Sequence, residues 1–469
     1  MPEPTFQLYN TMSRAVEPLA PLHAPKVTLY VCGPTIYDYA HIGNFRTYVA
    51  VDLLRRALKH FGYQVDHVMQ FTDVDDKTIK GARAKNQPLK EYTTIFGKAF
   101  IEDAKTLNIE IPERTPNATD FIPSMVALIQ KLIDKKAAYV SDDGSVYFRI
   151  ASFPKYGCLC HLDLAGMISG ARVNQDEYEK EGVGDFVLWK KWIEADGDVG
   201  WNSPWGKGRP GWHIECSALS MEHLGPQIDI HGGGVDLRFP HHENEIAQSE
   251  AATGLPFVRH WFHVEHLLVD GQKMSKSLKN MYTLRDVLAR GFTGRELRYA
   301  LISGAAYAKN LNFTWHGMDD AKTALARIDE WRKRIKLAVT EASDPGQETG
   351  LAQKLSDQMT TALASDLNIA DVLGQLFQWI RETNKAMDGG SLSQADAKVY
   401  DSAWGQLDAV LGLGDATVEI PAEVQKLLDD RAAARKGKEF ARSDELRKGI
   451  EALGWKVKDT AKGQEVTKA

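Results

Sequence analysis

Residues 26–71 read KVTLYVCGPTIYDYAHIGNFRTYVAVDLLRRALKHFGYQVDHVMQF. Lys26 to Val31 is apolar and rich in β-branched residues, the texture of a buried strand. A glycine-containing turn follows. From Ile42 to His60 the residues Phe45, Val49, Leu53, Leu54, Ala57 and Leu58 recur at helical spacing, and Gly62 marks the stop. Val65 to Phe71 reads as the next strand. Strand, turn, helix and strand in this order form a βαβ unit, the opening of an α/β, doubly wound, Rossmann-like domain. At such a join the helix start is expected to offer free N–H groups and a positive dipole end, both suited to phosphate.

The rest of the chain sets limits on this reading. With 469 residues, two to four domains are expected. The chain is 43% hydrophobic and 26% charged, with a net charge of −6, which argues against a chain basic throughout but allows a local basic patch. No apolar run approaches a membrane span, and Met1 to Asn10 does not have the pattern of a signal peptide. Four cysteines in this length make no disulfide framework, so a reduced, cytoplasmic setting is expected.

Further along, Asp120 to Lys136 reads as a helix and Gly144 to Ile150 as a strand. Gly157 to Lys207 is rich in Trp, Gly and Asp and reads as an irregular inserted module. Gln227 to His231 reads as a strand, and a helix is expected from Pro240. Helix formers dominate from Met318 to Leu411, with helical spacing over Ala324–Val339 and Leu351–Asn384 and breakers over Thr340–Gly350. A linker, Leu411 to Pro421, leads to a tail with twelve basic and nine acidic residues. That balance fits a polyanionic partner or a solvated helix face equally well.

Three motifs carry chemistry. The first runs from Cys32 to Asn44, where His41 and Asn44 can donate to phosphate oxygens and Gly43 allows close backbone approach. The second is Lys273-Met-Ser-Lys276-Ser277, two lysines able to clamp a triphosphate. Taken singly, these are an N-capping turn and a solvated basic loop. As a pair they resemble the signatures of class I aminoacyl-tRNA synthetases. The third comprises Gly211 to Cys216, then Asp229 to Asp236 with the triplet Gly232, Gly233, Gly234, then Phe239 to Glu245. The triplet follows a strand, where backbone can lie close to an adenosine. His241 and Glu245 stand four apart on a predicted helix and share a face. With Cys216 and the distant Cys32 they make two thiolates, an imidazole and a carboxylate, a zinc-ligand set. Each alone has a plain alternative: a small buried cysteine, or a charged helix surface. Cys158, Cys160 and His161 imitate a second cluster but have no evident fourth ligand, and they read as free side chains.

Over nearly its whole length the chain resembles the cysteinyl-tRNA synthetase family. The resemblance is carried by Tyr30–Thr47, Phe71–Lys77 (FTDVDDK), Asp185–Lys190 (DFVLWK), Gly211–Ala218, Asp229–Gln248 and Lys273–Asn280. It implies that Cys32, Cys216, His241 and Glu245 bind one Zn2+, which binds the substrate thiolate and rejects serine. It further implies that His41, Asn44, Gly232, Gly233, Gly234, Asp236 and Lys276 bind ATP, used with Mg2+. Lys273 and Lys276 with His41 and Asn44 would form the catalytic set, and Thr72, Trp212 and His231 would contact L-cysteine, with core packing the alternative for Trp212. Many members carry histidine where this chain has Asn44, which keeps a donor but cannot become a cation. The residues from Asp459 on lack an aromatic end seen in many members.

The implied architecture is a Rossmann-like catalytic domain (20–125 and 208–257) split by a connective insertion (126–207). A linking region with the KMSKS loop (258–318), a helical-bundle tRNA-binding domain (319–416) and a C-terminal anticodon-binding domain (417–469) follow. The expected partner is tRNA(Cys), with no membrane, and the expected state is a monomer. Two other readings stay open. A ligase joining cysteine to an amino sugar would lack a tail like Ala422–Trp455, and a non-catalytic RNA-binding paralogue would have lost His41, Lys276 or a zinc ligand.

Overall fold

The computed structural model describes residues 5–162, 184–341, 350–415, 421–460 and 463–468. Its central sheet has four parallel strands: β1 (Lys26–Val31), β2 (Gln64–Met69), β3 (Ile228–Gly234) and β4 (Val258–Val264), in the order β4-β3-β1-β2. Helix α1 (Ile42–His60) connects β1 to β2 with the bounds its apolar stripe predicts. Phe45, Val49, Leu53, Leu54, Ala57 and Leu58 all lie in the core. The expected strand Val65–Phe71 begins and ends earlier, because Gln70 to Thr72 turn away toward the site beyond the sheet. β1 ends at Val31 opposite Gly232, and β3 and β4 run two residues further, to Gly234 opposite Val264. The glycine triplet is therefore the last part of the strand, not a turn after it.

Helix α2 (Trp212–Leu224) precedes β3, and α3 (His241–Thr253) joins β3 to β4. Almost every residue of α3 from His241 to Ser249 is buried, which explains its lack of an amphipathic stripe. Gly33 sits where β1 and β2 come close: a Cβ there would fall 1.5 Å from the carbonyl oxygen of Gln70. No side chain fits, and the backbone pinch closes the floor under Cys32.

The expected helix over Asp120–Lys136 divides into a 3-10 turn, Ala118–Phe121, and an α-helix, Ile122–Asp134, where Pro123 suits the first turn. The inserted module is not irregular where it is described. Five antiparallel strands form one sheet, in the spatial order Ala138–Val140, Val146–Phe148, Phe186–Lys191, Gly206–Pro210 and Trp201–Ser203. Its strands are three to six residues long and hide from periodicity. The part of the module at 163–183 lies outside the described residues.

Helices Trp315–Glu341, Leu351–Ala364, Ile369–Asp388 and Gln394–Leu411 follow. The stretch Leu351–Asn384 is thus two helices. Asp366 and Leu367 take left-handed backbone angles (φ +55° and +51°), and Asn368 caps the next helix by accepting from the Asp371 amide. Most of the Thr340–Gly350 breaker segment lies outside the described residues, as does 416–420 of the second linker.

The chain divides into two compact units, 1–413 and 414–469. The second contains helices Ala422–Lys436 and Phe440–Ala452 and an antiparallel pair, Trp455–Thr460 with Gly463–Lys468. Its small core gathers Val424, Leu428, Ile450, Trp455 and Val457. Among the described residues, no helix is long and apolar enough to cross a membrane.

Candidate active site and metal centre

The carboxyl ends of β1, β2 and β3 open onto one buried cluster, the place where doubly wound sheets gather ligands. Cys32 stands one residue past β1, Cys216 on α2, and His241 and Glu245 one turn apart on α3. The Cys32 sulfur lies 3.6 Å from the Cys216 sulfur, 3.4 Å from His241 Nε2 and 3.7 Å from Glu245 Oε1. His241 Nε2 is 3.1 Å from Glu245 Oε1. Metal–ligand bonds of 2.0–2.3 Å in a tetrahedron require ligand separations of about 3.3–3.8 Å. Three of these four separations fall in that range and the fourth is slightly short, all four atoms lie within 4.8 Å of one another, and the residue types suit a metal such as zinc.

The charges fit the same purpose. Burial pushes the Cys32 thiol well up. For Cys216, burial also raises the pKa, but the Cys32 hydrogen bond and the nearby His241 hold it down to about 6. His241 is driven up to about 10 against burial by Cys216 and Glu245, and Glu245 is held down to about 2 against burial by His231 and His241. A proton thus sits among anionic groups that no water reaches, where a cation of higher charge is the natural replacement.

Behind these four lies a layer of residues of which sequence reading named His231 alone, as a substrate contact. His242 Nε2 is 3.4 Å from the Cys32 sulfur, and His231 Nε2 is 2.9 Å from Glu245 Oε2. Cys32, His231, His242 and Glu245 form a second close group sharing two members with the first. His242 Nδ1 meets His263 Nε2 at 2.8 Å, His263 Nδ1 meets the Thr11 hydroxyl at 2.8 Å, and His213 Nδ1 meets His241 Nδ1 at 3.0 Å. Gln70 donates to the Cys216 sulfur at 3.0 Å. Such outer contacts fix ring orientation and tautomer in metal sites. Only the doubled histidine at 241–242 hinted at them.

Of the expected substrate contacts, Thr72 is buried and donates to Glu215 Oε2 at 3.0 Å. The Trp212 ring lies 4.3 Å from the His241 ring, centre to centre. His231 is fully buried behind Glu245 and stacks on Trp261 at 4.8 Å. At Gly233 a Cβ would meet Leu237 and His242, and at Gly234 it would meet the Asp236 carboxylate at 2.3 Å. At Gly232 a Cβ would make only ordinary contacts.

The start of α1 differs from expectation. His41 Nδ1 accepts from the Asn44 amide at 3.1 Å, and Asn44 Oδ1 accepts from the His41 amide at 3.1 Å, a reciprocal capping box. The Ile42 amide donates to Tyr282 O at 2.8 Å, and the Phe45 amide to His41 O at 3.2 Å. The amides of Ile42, Asn44 and Phe45 are therefore already paired and not free for phosphate. With Nδ1 accepting, the His41 proton resides on Nε2, and burial lowers its pKa, so the ring is a neutral donor. Asn44 keeps its NH2 group for other partners.

Lys273 ends the short strand Gln272–Lys273 and Lys276 lies on the loop after it, both exposed. Asn280 braces that loop by accepting from the Ser275 amide at 2.8 Å and donating to Lys273 O at 3.3 Å. Cys158, Cys160 and His161 belong to neither metal-type group among the described residues. Instead the amides of Gly157, Leu159 and Cys160 all donate to the buried Glu243 carboxylate of α3.

The family profile "tRNA synthetases class I (C) catalytic domain" matches residues 18–323, and "Cysteinyl-tRNA ligase anticodon binding domain" matches residues 417–466. A cysteine–tRNA ligase of Protochlamydia amoebophila is 49% identical, covering 99% of this chain and 98% of the relative. One from Chlamydia felis is 49% identical over 98% and 97%, and one from Solibacter usitatus 45% identical over 98% of each. In fold, the chain is similar to a Mycobacterium tuberculosis methionyl-tRNA synthetase in complex with methionyl-adenylate. The TM-score is 0.62 at 16% identity, covering 82% of this chain and 89% of that one.

Proposed function

Because the chain belongs to the cysteine–tRNA ligase family of class I synthetases, we propose that Cys32, Cys216, His241 and Glu245 hold a zinc ion on which the cysteine thiol is selected. The family activity joins cysteine to tRNA at the expense of ATP. The observation that carries the zinc reading is the convergence of two thiols, an imidazole and a carboxylate, all buried, with their ligand atoms within 4.8 Å of one another. When bound, zinc supplies a soft centre that prefers a thiolate to a neutral hydroxyl and lowers a thiol pKa, which separates cysteine from serine. A pocket built on size alone discriminates by only about 1–3 kcal/mol per methylene.

The chain's own residues do the rest by position and charge. The capping box occupies His41 Nδ1 and Asn44 Oδ1, which leaves the His41 Nε2–H and the Asn44 side-chain NH2 as neutral donors for ATP phosphates. Lys273 and Lys276, beside a loop braced by Asn280, bring positive charge to the triphosphate with its Mg2+ while the cysteine carboxylate attacks the α-phosphorus and pyrophosphate leaves. Gly232 to Gly234 flank the adenosine, with Asp236 toward the ribose. Thr72 gives its one hydroxyl proton to Glu215, so it meets the substrate as an acceptor, suited to an ammonium. Trp212 covers the cysteine from the His241 side, and His231 keeps Glu245 oriented. A terminal ribose hydroxyl of tRNA(Cys) then takes the cysteinyl group from the adenylate.

In this reading 20–125 and 208–257 are the halves of the catalytic domain, with 126–207 the connective insertion. Residues 258–318 link to a tRNA-binding bundle at 319–416, and 417–469 bind the anticodon. The protein works in the cytoplasm as a monomer.

Metal analysis combined with aminoacylation of tRNA bearing the cysteine anticodon tests the function. One zinc per chain and charging with cysteine are expected; charging at full rate by protein stripped of metal would overturn the zinc reading. Removal of the residues after Pro421 is expected to leave cysteine-dependent pyrophosphate exchange and to depress charging of tRNA. Unchanged charging would remove the tail from RNA recognition.

A further inference from the structure

The turn between β1 and α1 contains a carboxylate that the phosphate chemistry does not call for. Asp38 Oδ1 accepts from the Tyr39 amide at 2.9 Å, and its other oxygen, Oδ2, lies 3.7 Å from the Lys276 ammonium. The same ammonium stands 5.9 Å from the centre of the Tyr37 ring, with Lys77 at 5.6 Å from that ring. Lys276 is 71% exposed and Asp38 55%, so the pair is screened and worth a few-fold at most in a conformational equilibrium.

Around this contact the two signature segments meet elsewhere as well. The Met274 sulfur lies 3.3 Å from where a Cβ of Gly43 would be. After the loop, Tyr282 O accepts from the Ile42 amide, and Thr283 lies bridged to His41. The loop is thus laid against the start of α1, and its central lysine rests on a negative charge.

We propose that Asp38 is a positioning residue that parks Lys276 in the nucleotide-free enzyme, so that the triphosphate must take this lysine from a carboxylate. The proposal rests on the reading that Lys276 contacts ATP. It predicts a cost to ATP binding and a benefit to loop order, both arising from the same ion pair. Simple repulsion between Asp38 and phosphate would give the first without the second.

The full-length protein, its Asp38→Asn and Lys276→Met variants and the double variant separate these. Without nucleotide, trypsin is expected to cut the 273–279 loop of Asp38→Asn about two- to fivefold faster than the parent, the range open to an exposed ion pair. A saturating non-hydrolysable ATP analogue abolishes the difference. The analogue is expected to bind Asp38→Asn more tightly by a similar factor, and Asp38→Asn has no such effect in the Lys276→Met background. Cutting of Asp38→Asn at the parental rate, or equal tightening with and without Lys276, overturns the parking role. Parental analogue affinity in Lys276→Met overturns instead the reading that Lys276 contacts ATP, and the cleavage rates still judge the Asp38 contact.

Discussion

Cys216→Ser is expected to lose most of its zinc and to lower cysteine-dependent pyrophosphate exchange by more than two orders of magnitude. The alcohol is close in size to the thiol, so the buried helix α2 keeps its packing. What changes is the donor: a serine hydroxyl at this depth stays neutral, while the cluster needs an anion beside His241. Even partners one layer removed from a metal cost roughly 10–100-fold in affinity or activity when lost. A direct ligand, with Gln70 already donating to its sulfur at 3.0 Å, costs more. Zinc content and exchange rate are to be measured on the same sample. A zinc-free Cys216→Ser protein with parental exchange would end the claim that the metal selects the substrate. Retention of zinc with loss of exchange would instead place His231 or His242 in the coordination sphere, since these form the second close group with Cys32 and Glu245.

The second large effect lies away from the chemistry. Arg298, fully buried on helix Gly294–Ser303, donates to Asp52 Oδ2 of α1 at 2.6 Å and to Leu411 O at 2.7 Å. It also donates to Leu107 O and Asn108 O, each at 3.1 Å. One guanidinium therefore joins α1, the segment after the helix Leu89–Thr106 and the end of the helix Gln394–Leu411. Gly412, at φ +63°, passes so close that a Cβ would lie 2.7 Å from Arg298 Nη2. Arg298→Met fills the space but takes a donor from Leu107 O and Leu411 O, leaving Asn108 O with Arg56 as its donor and Asp52 with Arg56 as its remaining cation. Breaking a buried pair in this way costs about 3–5 kcal/mol. The melting temperature is expected to fall by several degrees, and Asp52→Asn in the same protein to restore part of the loss. A melting temperature within about a degree of the parent would show that water or rearrangement replaces the guanidinium.

How much of this could be read from the residues depends on distance along the chain. Helix α1 was legible to the residue because its stripe and Gly62 are local signals. The paired signatures were legible as chemistry, yet the state of the α1 amides was not. The Ile42 amide pairs with Tyr282, which lies 240 positions beyond it, while the Asn44 and Phe45 amides pair with the nearby His41. The insertion looked irregular because strands of three residues, such as Trp201–Ser203, are too short to alternate visibly. The helical stretch from Leu351 hid a break at Asp366 and Leu367, whose left-handed angles are paid for by contacts made at a distance: Asp366 accepts from the Tyr9 amide at 2.8 Å. The four metal-type ligands came together only through family resemblance, and the histidines behind them required the fold itself.

That separation has a consequence for how the protein is made. Cys32 meets Cys216, His241 and Glu245 across 184, 209 and 213 positions. Three of the four ligands are therefore missing during synthesis until the chain has grown past α2 and α3. Until then the first βαβ unit can form, but the thiol at its end has no partner to share a metal with. Under the zinc reading proposed above, metal loading would be a late event, registering that both halves of the sheet have joined. Zinc supply would govern how much newly made chain becomes competent, separately from how much of it is synthesised.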